Sequence, residues 1–194
     1  MNLTKILTLA ALVGTALIGG VCFCFGTAIM GSLQRMPAGQ GATAMNLINA
    51  RIQNPLFLLI FMGTALICVA LGIVALVKDS PGKWWLVAGA ALYFVGVIVV
   101  SFAVNIPLNE KLAAIDPNSA AGAAEWTKYL SNWNPANNIR TLTAALAVLA
   151  FGLGLASGTT STRQSAPTQQ PQMQLPNPGW QAPQQVAPRP QSWQ

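Results

Sequence analysis

The chain of 194 residues is long enough for one domain and is poor in charge. Charged residues make up 7% of the chain and hydrophobic residues 53%, a balance that excludes an ordinary soluble enzyme. The chain has no His, which excludes His-based metal sites and Ser-His-Asp or Cys-His nucleophiles. The net charge of +6 is scattered rather than gathered in a stripe, so we expect contact with membrane lipid and no nucleic-acid partner.

Four stretches without charge divide the chain. They lie between Lys5 and Arg35, Arg51 and Lys78, Lys83 and Glu110, and Arg140 and Arg163, and they contain 29, 26, 26 and 22 residues. A membrane helix needs about 20 mostly apolar residues, so each stretch predicts one crossing. The predicted spans are 6–30, 55–77, 84–104 and 136–157, and we expect the first to be retained rather than cleaved as a signal peptide.

Turn and capping residues place the ends of these helices. Asp79-Ser80-Pro81-Gly82 predicts a tight turn, which makes the second and third helices antiparallel neighbours. Asn134-Pro135 is typical of an N-cap followed by Pro at the first helical position, so it predicts the start of the fourth helix. Pairs of small residues four apart, Ala16 with Gly20 and Gly154 with Gly158, are candidates for close helix packing.

The predicted organisation is a transmembrane domain over residues 1–157 and a Pro/Gln-rich tail over 158–194. The tail cannot bury a core, so we expect it to be disordered, and its partner is left open. The basic residues divide evenly between the two sides, so the positive-inside rule does not choose an orientation. We expect a multi-pass protein of the cell membrane with both termini cytoplasmic, because the N-terminal amine adds one charge to that side.

The two long loops, 31–54 and 105–135, must lie on the same face of the membrane because the crossings alternate. In the first loop Met45, Ile48 and Ile52 recur at helical spacing and predict a short amphipathic helix. In loop three, a helix is expected to start at Asp116-Pro117-Asn118-Ser119 and to run to about Trp133, separated from the fourth crossing by Pro135. The predicted fold is therefore all-α: a four-helix antiparallel transmembrane bundle with a short helical cap from loops one and three.

Loop three, residues 105–135, and the start of the fourth crossing also contain polar and aromatic residues that predict a binding site. Trp126 and Trp133 are seven residues apart and share a helix face, and Asn137 and Arg140 continue it if the helices are collinear. Asn105 and Asn109 lie at the opposite edge, beside Pro107. Polar groups that converge in an apolar mouth are typical of a small-molecule site. The simpler interpretation is that the Trp residues anchor the helix at the membrane interface and that Arg140 reaches the lipid headgroups.

Two stretches carry a recognisable pattern, and both are read directly from the sequence. They are Asn105-Ile106-Pro107-Leu108-Asn109, and Trp133-Asn134-Pro135-Ala136-Asn137-Asn138-Ile139-Arg140 with Trp126 ahead of it. The first half of the chain agrees at Gly20, Phe25, Met30, Leu33, Pro37, Met45, Ile48, Asn49, Pro55 and Phe57. Over about residues 10–156 the chain resembles the anthrone-oxygenase-like family of four-helix membrane proteins, long filed as a domain of unknown function. Asn138 stands where many members have His.

The resemblance implies a possible activity, the oxidation of a flat, apolar, enolisable substrate without metal, flavin or other cofactor. Arg140, Asn105 and Asn109 would then be the catalytic residues, which stabilise the oxyanion, and Trp126, Trp133 and Asn137 would bind the aromatic substrate. The candidate proton acceptors are Asp116, Glu110, Glu125 or water. The alternative is a non-catalytic accessory or lipid-binding scaffold protein, in which the same residues only join the cap to the bundle.

Overall fold

The computed structural model describes residues 2–164, and throughout these residues the chain is helical or in short connections, with no strand. The helices are α1 (Leu3–Cys24), α2 (Met30–Gln34), α3 (Ala38–Ile52), α4 (Pro55–Val77), α5 (Lys83–Tyr93), α6 (Ile106–Ala113) and α7 (Ala120–Gln164). Three π-helical segments connect some of them without a break: Phe25–Ile29 joins α1 to α2, and Phe94–Val99 and Ser101–Asn105 join α5 to α6.

Four helices are long and apolar enough to cross a membrane, as the charge-free stretches predict. They are Leu3–Gln34, Pro55–Val77, Lys83–Ala113 and Ala120–Ser157. Apolar side chains cover their outer surface. On α4, for example, Leu59, Leu66 and Val77 are 69%, 70% and 79% exposed. Such an exterior is suited to lipid, so the predicted all-α bundle with four crossings is confirmed.

The bundle has a core of its own. Ile18, Leu71, Tyr93 and Phe151 come from the four different crossings and are almost completely buried. Glycines allow the close approach of neighbouring crossings, because a Cβ atom on Gly14 would lie 2.0 Å from Thr64 Oγ1 and one on Gly96 would lie 2.3 Å from Thr143 Oγ1. The predicted pair Ala16 and Gly20 does not act in this way, because both residues are exposed.

The turn between α4 and α5 closes the end of the bundle opposite the long loops. Asp79 has a positive φ of 46° and Gly82 a φ of 71°, which reverse the chain within a few residues. Asp79 also forms an ion pair with Lys83, and this hydrogen-bonded ammonium holds the pKa of the Asp79 carboxyl below its ordinary value. The predicted tight turn is therefore present.

The cap at the other end consists of α2, α3, α6 and the first half of α7. These helices share a second apolar core, which includes Met45, Leu112, Trp126, Tyr129 and Trp133. The predicted loop-one helix is α3, and it packs on α6 and α7. The predicted separate helix of loop three does not exist as such, because it is the beginning of α7.

Helix α7 is continuous through Pro135, contrary to the break predicted there. A Pro inside a helix removes one main-chain hydrogen bond and costs about 3 kcal/mol in a solvated helix. Here Trp133 on one side of Pro135 and Asn137 on the other are both buried against neighbouring helices, and this packing helps to offset the cost, so the helix continues. The 45 residues of α7 extend about 68 Å, so the helix crosses the membrane and also supports the cap.

The predicted boundary at residue 157 falls inside α7, which ends at Gln164. The rest of the predicted tail, residues 165–194, lies outside the described residues.

Candidate functional site

A cavity of about 740 Å³ lies where the cap meets the bundle. Its size is within the range of about 300–1,000 Å³ that is typical of small-molecule pockets. One wall is apolar and comes from α1, the π segment after it and α4, with Val21, Phe25, Phe57 and Phe61. The rest of the lining comes from α3, the third crossing and α7, and it includes most of the polar side chains of the cavity. An apolar molecule with a few polar atoms suits this mixed lining.

The structure brings five of the six predicted site residues to this cavity. Their side chains line it from two helices: Asn105, Asn109, Trp133, Asn137 and Arg140. Asn137 and Arg140 line the cavity together with Trp133, and α7 is continuous through Pro135, so all three belong to one helix.

Trp126, the sixth predicted residue, is not part of the cavity lining. It is 3% exposed and lies in the cap core, where its ring stacks on Tyr129 with 5.5 Å between centroids. A Cβ atom on Gly41 of α3 would lie 3.1 Å from the indole of Trp126, so α3 closely covers this side chain. Its packing is that of a core residue of the cap.

Trp133 ends this row of aromatic rings and reaches the cavity. Tyr129 stacks on it with centroids 6.0 Å apart, and Phe25 lies tilted against it at 5.6 Å. The indole Nε1 of Trp133 is buried and has no hydrogen-bond partner among the described residues. Since its ring is already covered in part by protein, this N–H group is the feature that Trp133 offers to a ligand.

Asn105 and Asn137 each use one half of their amide for the fold. Asn137 Nδ2 donates to the Cys22 carbonyl at 2.8 Å, and Asn105 Nδ2 donates to the Trp133 carbonyl at 3.4 Å. The Oδ1 atom of each is buried without a partner. Both residues are therefore structural through Nδ2 and available as hydrogen-bond acceptors through Oδ1.

Asn109 is held by the cap, because the Tyr129 hydroxyl donates to its Oδ1 at 2.8 Å. This contact joins α6 to α7 beside the cavity, and Tyr129 is fully buried.

Arg140 places a positive charge in the cavity. It is half-buried, and its Nε atom is buried without a hydrogen-bond partner. The guanidinium interacts with the Cys22 side chain, but the two ion pairs of residues 2–164 are Lys83–Asp79 and Lys111–Glu125, and neither includes Arg140. An arginine within a membrane-spanning helix normally faces a functional cavity or a partner of opposite charge.

Unpartnered buried polar atoms concentrate at this cavity. The described residues contain eight such side-chain atoms, and six belong to residues that line it. Besides the atoms of Asn105, Trp133, Asn137 and Arg140 already named, they are Asn46 Oδ1 and Asn49 Nδ2 of α3. A buried polar atom without a partner costs about 1–3 kcal/mol, so the cluster is complementary to a ligand that provides both donors and acceptors.

The contribution of α3 was not predicted, and the predicted proton acceptors, Asp116, Glu110, Glu125 or water, left the acidic residue open. Asn46 and Asn49 are three residues apart, a spacing that puts both on one helix face, and this was the available signal for them. Glu110 lines the cavity, whereas the other candidate acids, Asp116 and Glu125, do not.

One edge of the cavity faces the lipid side of the bundle. Leu58 and Met62 of α4 and Phe102 of the third crossing line the cavity, and they are 44%, 40% and 53% exposed. Helix α4 packs along α5 and the π segment Phe94–Val99, but its contact with the π segment Ser101–Asn105 and with α6 is at most marginal. The two crossings therefore diverge towards the cap, with apolar side chains at the opening.

No group of three or more acidic or Cys side chains that could hold a metal ion occurs among the described residues.

Asn138, at the position where the resemblance implies His in many relatives, is exposed and does not line the cavity.

Comparison with known proteins points to one family. The model of the anthrone oxygenase family matches residues 57–150, a range that begins in α4 and includes the part of α7 that carries Trp133, Asn137 and Arg140. No curated protein and no solved structure matches the chain. The matched range is shorter than the predicted resemblance over about 10–156, but it contains both motif stretches. Over residues 57–150 the chain is therefore similar to the anthrone oxygenase family, and its four long apolar helices are those of a membrane protein.

Proposed function

We propose that the protein binds a flat, hydroxylated aromatic ketone in the cavity under the cap and oxidises its activated methylene carbon with molecular oxygen, without a cofactor. The observation that carries this proposal is the cluster of unpartnered polar atoms around Arg140 in an otherwise apolar cavity. The family match supports the substrate class, because an anthrone is a flat aromatic ketone of this kind.

The cavity residues divide into two chemical roles. The donors are Arg140, Trp133 Nε1 and Asn49 Nδ2, and they suit the ketone oxygen, which becomes an anionic enolate oxygen when the methylene loses a proton. The acceptors are the Oδ1 atoms of Asn46, Asn105 and Asn137, and they suit phenolic hydroxyl groups on the same ligand. Asn105 thus acts as an acceptor for the ligand rather than as a donor to the oxyanion.

The reaction needs no external electron carrier. Loss of the methylene proton gives a carbanion that is delocalised over the rings and can transfer an electron to O₂. Recombination gives a peroxide, and loss of water from the protonated peroxide gives the second ketone. The four electrons removed from the methylene carbon reduce one O₂, whose oxygen atoms become the new carbonyl oxygen and a water molecule.

We also propose that the protein lies in the cell membrane with both of its termini in the cytoplasm. The substrate then reaches the cavity from the lipid phase of that membrane. The opening between α4 and the third crossing is lined by Leu58, Met62 and Phe102, which favour an apolar molecule dissolved in the bilayer.

An accessory or scaffold function is the second candidate. The observation in its favour is that Asn105, Asn109 and Tyr129 connect the cap helices, while Asn137 connects α7 to α1, so part of the motif has a structural use. These bonds do not involve the Arg140 guanidinium, and variants of Arg140 therefore distinguish the two functions.

The decisive experiment compares anthrone oxidation in air by the purified protein in lipid nanodiscs with oxidation in empty nanodiscs, followed by anthraquinone absorbance. We expect a rate above the spontaneous one and a loss of about 100-fold or more in Arg140→Ala, with the thermal transition unchanged. Arg51→Ala is the matched control, because Arg51 is exposed on α3 and does not line the cavity. A rate equal to that of empty nanodiscs contradicts the oxygenase proposal, and unfolding of Arg140→Ala favours the scaffold.

A further inference from the structure

The four acidic residues of the chain occupy four different environments. Asp79 lies in the turn at the far end of the bundle and pairs with Lys83. Asp116 precedes α7, where its side chain accepts the Asn118 main-chain N–H at 3.0 Å. Glu125 is buried in the cap and pairs with Lys111 at 3.0 Å. Three of the four carboxylates thus have structural partners.

Glu110 is the exception. It follows Asn109 on α6, lines the cavity and is accessible to solvent. It takes part in neither of the two ion pairs among residues 2–164, and the adjacent Lys111 is directed to Glu125 instead. It is therefore an unpaired carboxylate at the cap end of an apolar cavity.

Glu110 and Arg140 line the same cavity from different helices without forming an ion pair with each other. A ligand can therefore lie between a proton acceptor and a cation. In an enolisation these are the two groups required: one removes the proton from carbon while the other stabilises the negative charge that develops on oxygen.

We propose that Glu110 is the general base of this site and that its substrates are ketones with an acidic methylene group. This proposal rests on the proposed function. The Glu110 carboxylate takes the proton of the methylene C–H bond, and the electron pair of that bond enters the enolate, whose oxygen is held by Arg140. After O₂ has added to the carbanion, the protonated Glu110 returns its proton to the peroxide anion, which gives a hydroperoxide. The remaining C–H bond then loses its proton, its electron pair forms the second C=O bond as the O–O bond breaks, and the released hydroxide leaves with that proton as water.

The assignment also accounts for catalysis by a chain that lacks His. The family resemblance places His in many relatives at the position of Asn138, but Asn138 is exposed and outside the cavity lining. Glu110 provides a titratable group within the cavity itself.

The test separates proton removal from oxidation. The protein in nanodiscs is incubated anaerobically in D₂O with anthrone, and exchange of the methylene protons is followed by NMR against empty nanodiscs. We expect the wild-type protein to accelerate exchange and Glu110→Gln to lower that acceleration about 100-fold or more. Ligand binding, measured by quenching of tryptophan fluorescence, should change less than about threefold, because Gln keeps the size of the side chain. Glu110→Asp should recover part of the exchange rate.

Asp116→Asn is the matched control, since it also removes one carboxylate from the cap but lies outside the cavity. It should exchange at the wild-type rate. If the wild-type protein accelerates both exchange and oxidation, and Glu110→Gln does so equally, the assignment of Glu110 is wrong while the proposed function stands. If the wild-type protein accelerates neither, both proposals are wrong. A loss of ligand binding in Glu110→Gln that accounts for the whole rate loss would also overturn the assignment, since Glu110 would then be a binding residue.

Discussion

Asn137 of α7 donates a hydrogen bond of 2.8 Å to the main-chain carbonyl of Cys22 in α1, and this contact joins the last crossing to the first. Asn137 is 1% exposed, and Cys22 lies just before the π segment Phe25–Ile29, where the main-chain bonding pattern of the first crossing changes. The Cys22 carbonyl also accepts from the Phe25 main-chain N–H, so the amide adds a second donor at an irregular point of the helix, which is a typical use of polar side chains within a membrane.

Replacement of Asn137 by Ala should destabilise the bundle. The lost hydrogen bond is expected to lower the free energy of unfolding by about 0.5–2 kcal/mol, since interhelical hydrogen bonds in membrane proteins are worth about this much. Unfolding in mixed micelles of increasing SDS content measures the change. Asn132→Ala is the control, because the exposed Asn132 side chain bonds only within its own helix. Equal losses for the two variants would contradict the structural role of Asn137.

The two tyrosines of the chain form a natural comparison. Tyr129 donates to Asn109 Oδ1 at 2.8 Å in the cap, and Tyr93 donates to the Phe61 carbonyl at 3.0 Å in the bundle core. Each Tyr→Phe change keeps the ring and removes one buried hydrogen bond, so each should cost about 0.5–1.5 kcal/mol of stability. Only Tyr129→Phe releases a cavity amide, and we expect it to weaken anthrone binding several-fold more than Tyr93→Phe does. Fluorescence titration provides the affinities, and similar affinities for the two variants would refute the positioning of Asn109 by Tyr129.

The four crossings could be predicted because the bilayer imposes a simple rule on composition. A charged side chain is costly in the hydrocarbon core, so the first and last charges around each stretch delimit the helix. The second crossing, predicted over 55–77, agrees in both bounds with α4, because Asn54-Pro55 caps its start and Asp79 begins the turn at its end. The sequence carries this information locally.

The continuity of α7 could not be predicted because its cause is not local. Asn134-Pro135 has the pattern of a helix start, and in isolation that pattern favours a break. The burial of Trp133 and Asn137 against other helices decides the matter. The same holds for close helix packing: Gly20 has the expected spacing from Ala16 but meets no atom within 4 Å, whereas Gly14 contacts Thr64. Spacing shows which residues share a face, but not which face is covered.

The candidate site was predicted in part for the same reason. Helical periodicity was sufficient to group Trp133, Asn137 and Arg140 on α7. The spacing of Asn46 and Asn49 puts both on one face of α3, and Glu110 was one of several candidate proton acceptors. That they line the cavity depends on contacts between helices that are distant in sequence, which no pattern within one helix predicts.

Access from the lipid phase can be tested by narrowing the opening at α4. Met62 lines the cavity and is 40% exposed, whereas Leu66 lies one turn further along α4, is 70% exposed and does not line it. Met62→Trp should slow the association of anthrone delivered from liposomes by about tenfold, an estimate based on the size of the added ring. Leu66→Trp should associate at the wild-type rate. Stopped-flow fluorescence measures both, and an unchanged rate in Met62→Trp would show that the ligand enters elsewhere.

Gly96 tests the close contact between the third and fourth crossings. A Cβ atom added at Gly96 would lie 2.3–2.5 Å from the Thr143 side chain, whereas one added at Gly63 of α4 would meet nothing within 4 Å. We expect Gly96→Ala to lower the free energy of unfolding by about 1–3 kcal/mol through overpacking. Gly63→Ala should be neutral or stabilising by up to about 1 kcal/mol, because Ala has the higher helix propensity.

If the contact with Thr143 is the cause, Thr143→Ala should restore part of the stability lost in Gly96→Ala, so the double-mutant cycle gives a coupling energy between the two positions. Additive effects of the two changes would show that the loss arises from the π segment around Gly96 rather than from the contact with Thr143.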